Sequence, residues 1–224
     1  GQYNVVIGNN AGDAITTSNS NTLVGASAGG SITTQQYNTL VGSYCGHGLD
    51  SGDGQNTALG REALYYGDGS AVNVAIGQLA MYGASGTNNA TANVAVGNQA
   101  LQNTSTGDYN VAMGSESLTD LSSGDSNTAI GYRAGYANQS GSGNIFIGNL
   151  AGSAAGASVD NKLYIDNSAT NSPLIYGDFS SNVVTINEDL NVTDDLMVSD
   201  KISSSTINSG DITSTGSISV GNSG

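Results

Sequence analysis

Cys45 and His47, in Cys45-Gly46-His47, are the only cysteine and the only histidine of the chain. A thiol near an imidazole is the minimum for a nucleophile and its base, or for half of a metal site. No second Cys or His completes either arrangement, and Cys45 takes the place that Ala11, Ala28, Ala63, Ala80, Ala100, Ala134 and Ala151 take elsewhere. It reads as a small buried side chain, with no internal disulfide and no thiolate metal cage. Gly-Asp pairs recur at Gly12-Asp13, Gly52-Asp53, Gly67-Asp68, Gly107-Asp108 and Gly124-Asp125. Stacked carboxylates can hold Ca²⁺, but the nine-residue rhythm of calcium-binding rolls is missing, and turn chemistry accounts for Asp after Gly without an ion. The glutamates Glu62, Glu116 and Glu188 are scattered, whereas glycoside hydrolysis needs two carboxylates flanking one bond. The expectation is no catalytic residue, no metal and no cofactor; a polysaccharide-degrading enzyme is the alternative. Tyrosines are the remaining candidates. Tyr65, Tyr66 and Tyr82 are the candidate glycan contact, and Tyr3, Tyr37 and Tyr109 also offer rings beside amides and carboxylates. The stretch from Tyr82 to Ala90, lengthened relative to its neighbours, is the preferred place for such binding.

What must position these residues is a repeat. Nine times the chain reads Asn, a β-branched residue (x1), an apolar residue (x2), a large aliphatic residue (x3), then Gly. The brackets are Asn4 and Gly8, Asn21 and Gly25, Asn38 and Gly42, Asn56 and Gly60, Asn73 and Gly77, Asn93 and Gly97, Asn110 and Gly114, Asn127 and Gly131, and Asn144 and Gly148. Successive Asn residues lie 17, 17, 18, 17, 20, 17, 17 and 17 positions apart. So short and constant a period marks a solenoid in which each repeat is one coil. Asn and Gly are expected at its sharp turns, with the Asn side chains bonding up and down the stack. At about 4.8 Å per coil the rod is on the order of 40 Å long.

Side chains alternate along a strand, so x1 and x3 share one face and x2 takes the other. Because x3 is always large and aliphatic, that face is expected inside. The x2 residues Val6, Leu23, Leu40, Ala58, Ala75, Ala95, Ala112, Ala129 and Phe146 are then an outward apolar stripe in need of a cover. Other copies of the chain would supply it, making these nine residues the trimer interface. The x1 threonines Thr22, Thr39, Thr57 and Thr128 hint at an ice-binding ladder, but Val interrupts it and x1 is expected inside.

Composition agrees with an all-β chain. Gly is 33 of 224 residues, only one Pro is present, and the aliphatics sit at fixed phase, which a disordered tract has no reason to keep. Four basic against eighteen acidic residues give a net charge of -14, which excludes nucleic acid as a partner. No apolar run approaches the roughly 20 residues that span a bilayer. The pattern is already under way at Gly1, which reads as a piece of a longer protein.

Asn73-Val74-Ala75-Ile76-Gly77 and Asn127-Thr128-Ala129-Ile130-Gly131 resemble the repeat of the YadA-type head of trimeric autotransporter adhesins, over residues 1–152. That resemblance implies a left-handed parallel β-roll and a homotrimer. Residues 153–187 read as a connector of three strands: Leu163-Tyr164-Ile165-Asp166, then Pro173 to Phe179, then Val183 to Asn187. The connector resembles the segment that follows head repeats in phage-like tail-fibre proteins. Residues 188–224, with single apolar residues alternating with polar ones, read as the start of a β-rich trimeric shaft. The functional expectation is a structural and adhesive fibre protein, extracellular, on a virion tail fibre or a bacterial cell surface. Its head would meet a host or surface receptor, read as a glycan; the alternative is a tailspike-like polysaccharide-degrading enzyme.

Overall fold

A computed structural model describes residues 1–52, 54–83, 89–193 and 196. The chain is all-β, a β-solenoid of about nine turns. Each repeat contributes one three-residue strand: β1 (Val5–Ile7), β2 (Thr22–Val24), β3 (Thr39–Val41), β4 (Thr57–Leu59), β5 (Val74–Ile76), β6 (Val94–Val96), β7 (Val111–Met113), β8 (Thr128–Ile130) and β9 (Ile145–Ile147). They pair in parallel and in strict sequence order, each x1, x2 and x3 lying opposite its counterpart in the next coil.

The turns explain why Asn and Gly bracket the strand. The motif Asn of each coil accepts, through its side-chain oxygen, the backbone N–H of the next motif Asn, as Asn110 N–H to Asn93 Oδ1 at 2.8 Å and Asn127 N–H to Asn110 Oδ1 at 2.9 Å. Its amide nitrogen donates to a carbonyl in the following coil, Asn93 to Gly107 O and Asn127 to Gly141 O, both at 2.8 Å. From Asn21 to Asn144 these side chains are buried, so the amide replaces backbone partners that the turn would leave unpaired. The left-handed residue is the one before the Asn, such as Ser20 (φ 58) or Tyr109 (φ 58). The motif Gly has φ from 118 to 142, and a Cβ on Gly97 would lie 2.5 Å from the carbonyl oxygen of Gly114. Glycine is required there by close backbone approach as well as by conformation.

The interior reverses the expected sidedness. Leu23, Leu40, Ala75, Ala95, Ala112, Ala129 and Phe146 are fully buried and Ala58 nearly so, all within the single chain's core. The x1 and x3 side chains point outward and are half-buried or exposed. The proposed trimer interface of Val6, Leu23, Leu40, Ala58, Ala75, Ala95, Ala112, Ala129 and Phe146 is therefore corrected: all but Val6 are enclosed within the roll and cannot meet a partner. Val6, in β1, is 42% exposed. The reason is space. A coil of 17 residues encloses little volume, and its corner already supplies the bulk: Leu64, Met81, Leu101 and Leu118 are buried in four of the five coils whose x2 is Ala, while in the fifth, with Ala129 and Gly135, Leu118 and Phe146 of the adjoining coils reach the space. The small residue three past the motif Gly is buried as expected, Cys45 included.

After β9 the sheet continues rather than ending. β10 (Lys162–Ile165) adds in parallel to β9, and β11 (Ile175–Asp178) and β12 (Val183–Ile186) follow as antiparallel strands. The three connector strands thus exist, but they belong to one compact unit spanning Gly1–Asp189. Phe146 stacks on Tyr164 and Tyr176 meets Tyr164 edge-on through this junction, with ring centroids 5.5 and 5.4 Å apart. The shaft expected over 188–224 lies almost wholly outside the described residues.

Candidate functional site

With x1 and x3 outward, the flat side of the solenoid is a continuous apolar face. Its x3 column runs Ile7, Val24, Val41, Leu59, Ile76, Val96, Met113, Ile130 and Ile147, and the register continues it to Ile165 on β10. Ile7 is 59% exposed, Leu59 49% and Met113 44%. The x1 column beside it holds only Val, Thr and Ile, so no charge interrupts the face. Its threonines do point outward, contrary to expectation, but Val74, Val94 and Val111 still break any threonine ladder. Near its C-terminal end the face deepens into a hollow of about 340 Å³ lined by Ile147, Gly148, Ile165, Asp166, Asn167 and Leu174.

The structure brings Tyr65, Tyr66 and Tyr82 together and adds Tyr44 and His47. His47, Tyr65 and Tyr82 stand nine residues past their motif Asn in successive coils, so the stacking of coils stacks their rings. His47 lies on Tyr65 at 5.2 Å and 10°, and Tyr65 on Tyr82 at 5.2 Å and 21°. Tyr66 meets both tyrosines edge-on, at 4.7 and 5.2 Å. The ring faces that would lie on a sugar are turned to one another, and what points outward is edges and hydroxyls. Mutual burial, followed by repulsion from neighbouring acids including Glu62, pushes the Tyr65 hydroxyl pKa up; burial does the same for Tyr82. Most of the loop from Tyr82 to Ala90, the preferred binding place, lies outside the described residues.

Acidic groups are tied into the turns. Asp108 accepts the Thr91 N–H at 2.7 Å and Asp125 the Asp108 N–H at 2.8 Å, so carboxylates after Gly serve as turn acceptors between coils. Asp53 lies outside the described residues. Asp68 is hydrogen-bonded by the Ser51 hydroxyl, which lowers its pKa, while the adjacent Asp50 is raised because it shares a hydrogen bond with Asp68. Glu62 pairs with Arg61 at 2.6 Å, and Glu116 pairs with Arg133 at 2.7 Å. The Arg133 guanidinium lies 5.2 Å from the rings of both Tyr132 and Tyr136, a cation–π clasp along the surface. Two of the three glutamates considered for an enzyme thus bind arginines in different coils. Among the described residues no three of His, Cys, Asp and Glu gather as metal ligands.

The Cys45 thiol is buried, donates to the Ala58 carbonyl at 3.3 Å, and is pushed up to about 12 by burial. A neutral, enclosed thiol is a poor nucleophile, and it shares no hydrogen bond with His47, whose ring is engaged with Tyr44 and Tyr65. Sequence reasoning missed the x1 and x3 face as the exposed one. A signal was present in most coils: x2 and the residue six positions on trade size, as in Leu40 with Gly46 and Ala95 with Leu101, although Ala129 with Gly135 does not follow it. Comparison with family models, with curated proteins and with solved structures returned no match.

Proposed function

We propose that this chain is a structural and adhesive fibre protein, in which three copies pack their x1 and x3 faces about a common axis and present the rod's other sides to a surface receptor. The observation that carries the reading is the uncharged apolar face running through nine coils, with Ile7, Leu59 and Met113 each more than two-fifths exposed. A monomer with net charge -14 gains nothing by displaying such a stripe to water, whereas identical chains can cover it without bringing like charges into contact. The same parallel register in every coil repeats one weak contact many times, which gives avidity without any deep pocket. A fibre of this kind belongs outside the cell, on a phage-like tail fibre or a bacterial surface appendage, where it meets a glycan or other host receptor.

The test is solution mass. Sedimentation of the full chain is expected to give three times 22.3 kDa. Replacing Ile76 and Val96 together by Asp is expected to give a folded species of single-chain mass, because both side chains point away from the core. A wild-type monomer at high concentration would defeat the proposal.

A further inference from the structure

A second pair of tyrosines is arranged differently from the stacked column. Tyr3 and Tyr37 occupy the same position, directly before the motif Asn, in coils two apart, with the small Ser20 at that position between them. Tyr3 is 83% and Tyr37 61% exposed, and neither ring has an aromatic neighbour among the described residues. Both border a surface cleft of about 520 Å³. That volume falls within the roughly 300–1,000 Å³ usual for small-ligand sites.

We infer that this cleft binds one pyranose ring of an uncharged glycan, held between the Tyr3 and Tyr37 rings. The inference rests on the adhesive reading above and gives it a place and a ligand class. Coils rise about 4.8 Å, so two steps separate equivalent positions by about 9.6 Å. Carbon atoms in contact sit about 3.5–4.0 Å apart, so two such contacts take up about 7–8 Å. What remains accommodates the pucker of a saturated ring, whose axial hydrogens already lie within those contacts. A flat base needs only the two contacts and would fit loosely, while in the Tyr65–Tyr82 pair, one coil apart with centroids 5.2 Å apart, nothing fits between.

The floor suits a polyol. Gln2, Asn19, Ser20 and Gln36 line it, and the side-chain amides of Gln2 and Gln36 and the Ser20 hydroxyl make no hydrogen bond within the described residues. Amides and hydroxyls both donate and accept, as sugar hydroxyls require. The Asn19 side chain is fixed by accepting the Gln2 N–H at 2.6 Å, which ties the cleft's two sides together. No charged side chain lines the cleft, and the negative charge of the whole chain works against sulfated, phosphorylated or sialylated sugars.

Titration of the full chain with cellohexaose and with N-acetylchitohexaose, read by calorimetry and by tyrosine fluorescence, tests the inference, with heparin as the polyanion. At least one neutral hexamer is expected to bind and heparin is not. Tyr37→Ala is expected to weaken binding about tenfold, the loss of one stacking face, while Tyr37→Phe retains it. Ser20→Tyr, which places a third ring in the gap at a φ of 58 that Tyr3 and Tyr37 already adopt, is expected to abolish binding without unfolding the coil. Tyr65→Ala is expected to bind as wild type. Failure of both hexamers to bind, or binding that Tyr37→Ala and Ser20→Tyr leave unchanged, overturns the inference. Adsorption of labelled chain to bacterial cells separates the two claims. Cells bound equally by wild type and Ser20→Tyr overturn the cleft and leave the adhesive reading standing; no adsorption by wild type removes both.

Discussion

The second and third coils and the fourth to seventh solve one packing problem in opposite ways. In the former a large x2 side chain, Leu23 or Leu40, fills the interior and the corner residue six positions on is Gly29 or Gly46. In the latter x2 is Ala58, Ala75, Ala95 or Ala112, and the corner is Leu64, Met81, Leu101 or Leu118. Every corner residue is left-handed, φ 58 at Gly46 and 51 at Leu101. A non-Gly residue there costs about 1–2 kcal/mol. Fully burying a leucine returns about 1.5–3 kcal/mol, so the strained corner is tolerated where it supplies the core. The lesson is that strand and corner share room for one large side chain, beside the Ile32, Leu49 or Leu121 that some of these coils also bury, and which of the two provides it is interchangeable.

Breaking that rule is expected to have the largest effect. A Cβ on Gly46 would stand 2.6 Å from Leu40 Cδ1 and 2.9 Å from Leu49 Cδ1, so Gly46→Leu is expected to cost about 4 kcal/mol from overpacking and strain together. Leu40→Ala alone should cost about 3 kcal/mol. Combined, the two changes rebuild the pattern of the seventh coil, where Ala112 and the corner Leu118 accompany Leu121 as they would Leu49, and should cost only about 1–2 kcal/mol, the corner strain. Urea unfolding of the three variants reads this directly, and an additive loss in the double variant would contradict the exchange.

The Asn ladder is common to both groups of coils, and it sharpens the comparison by what it leaves unchanged. Asn93→Ala removes the acceptor of the buried Asn110 N–H and the donor to Gly107 O, and is expected to cost about 3 kcal/mol. Asn4→Ala, at a half-buried position in the first coil, should cost about 1 kcal/mol. Thermal melts compare them, and equal losses would mean that burial does not set the value of a rung.

Cys45 has no effect near neutral pH and concerns the third coil alone. Its thiol is raised from 9.0 to about 12, so folding favours the neutral form. Below pH 9 folded and unfolded chains are both protonated there and nothing is gained or lost. Between pH 9 and 12 only the unfolded chain ionises, and stability falls as pH rises, by about 2 kcal/mol at pH 10.5. Tyr65 and Tyr82, raised by burial, push in the same direction. Cys45→Ala, matching the other coils, is expected to remove the Cys45 share of this alkaline slope and to leave the tyrosine share, as followed by denaturant midpoints across pH.

The candidate sites were legible to different depths. Tyr65 and Tyr82 share one offset past the motif Asn and Tyr66 follows Tyr65 directly, so the nearness of the three is written in the sequence. That their faces are spent on each other follows from the rise between adjacent coils, since residues one coil apart stand close enough to stack. The same arithmetic applied to Tyr3 and Tyr37, two coils apart, leaves a gap instead. Offsets in the sequence give the column, and the coil rise turns a column into either a stack or a cleft.

What the sequence by itself determined was the coil: nine Asn-to-Gly motifs at a nearly constant step require parallel strands in register, Asn rungs between them and Gly where backbones nearly touch. The alternation of side chains likewise divides x2 from x1 and x3. Only the tertiary structure decided which of those faces is inside, because both are apolar and hydrophobicity cannot choose between them. Volume does. A closed coil has fixed internal space, Leu64, Met81, Leu101 and Leu118 already occupy much of it from the corners, and only the smaller face can share it with them, so the valines, isoleucines and threonines are turned out.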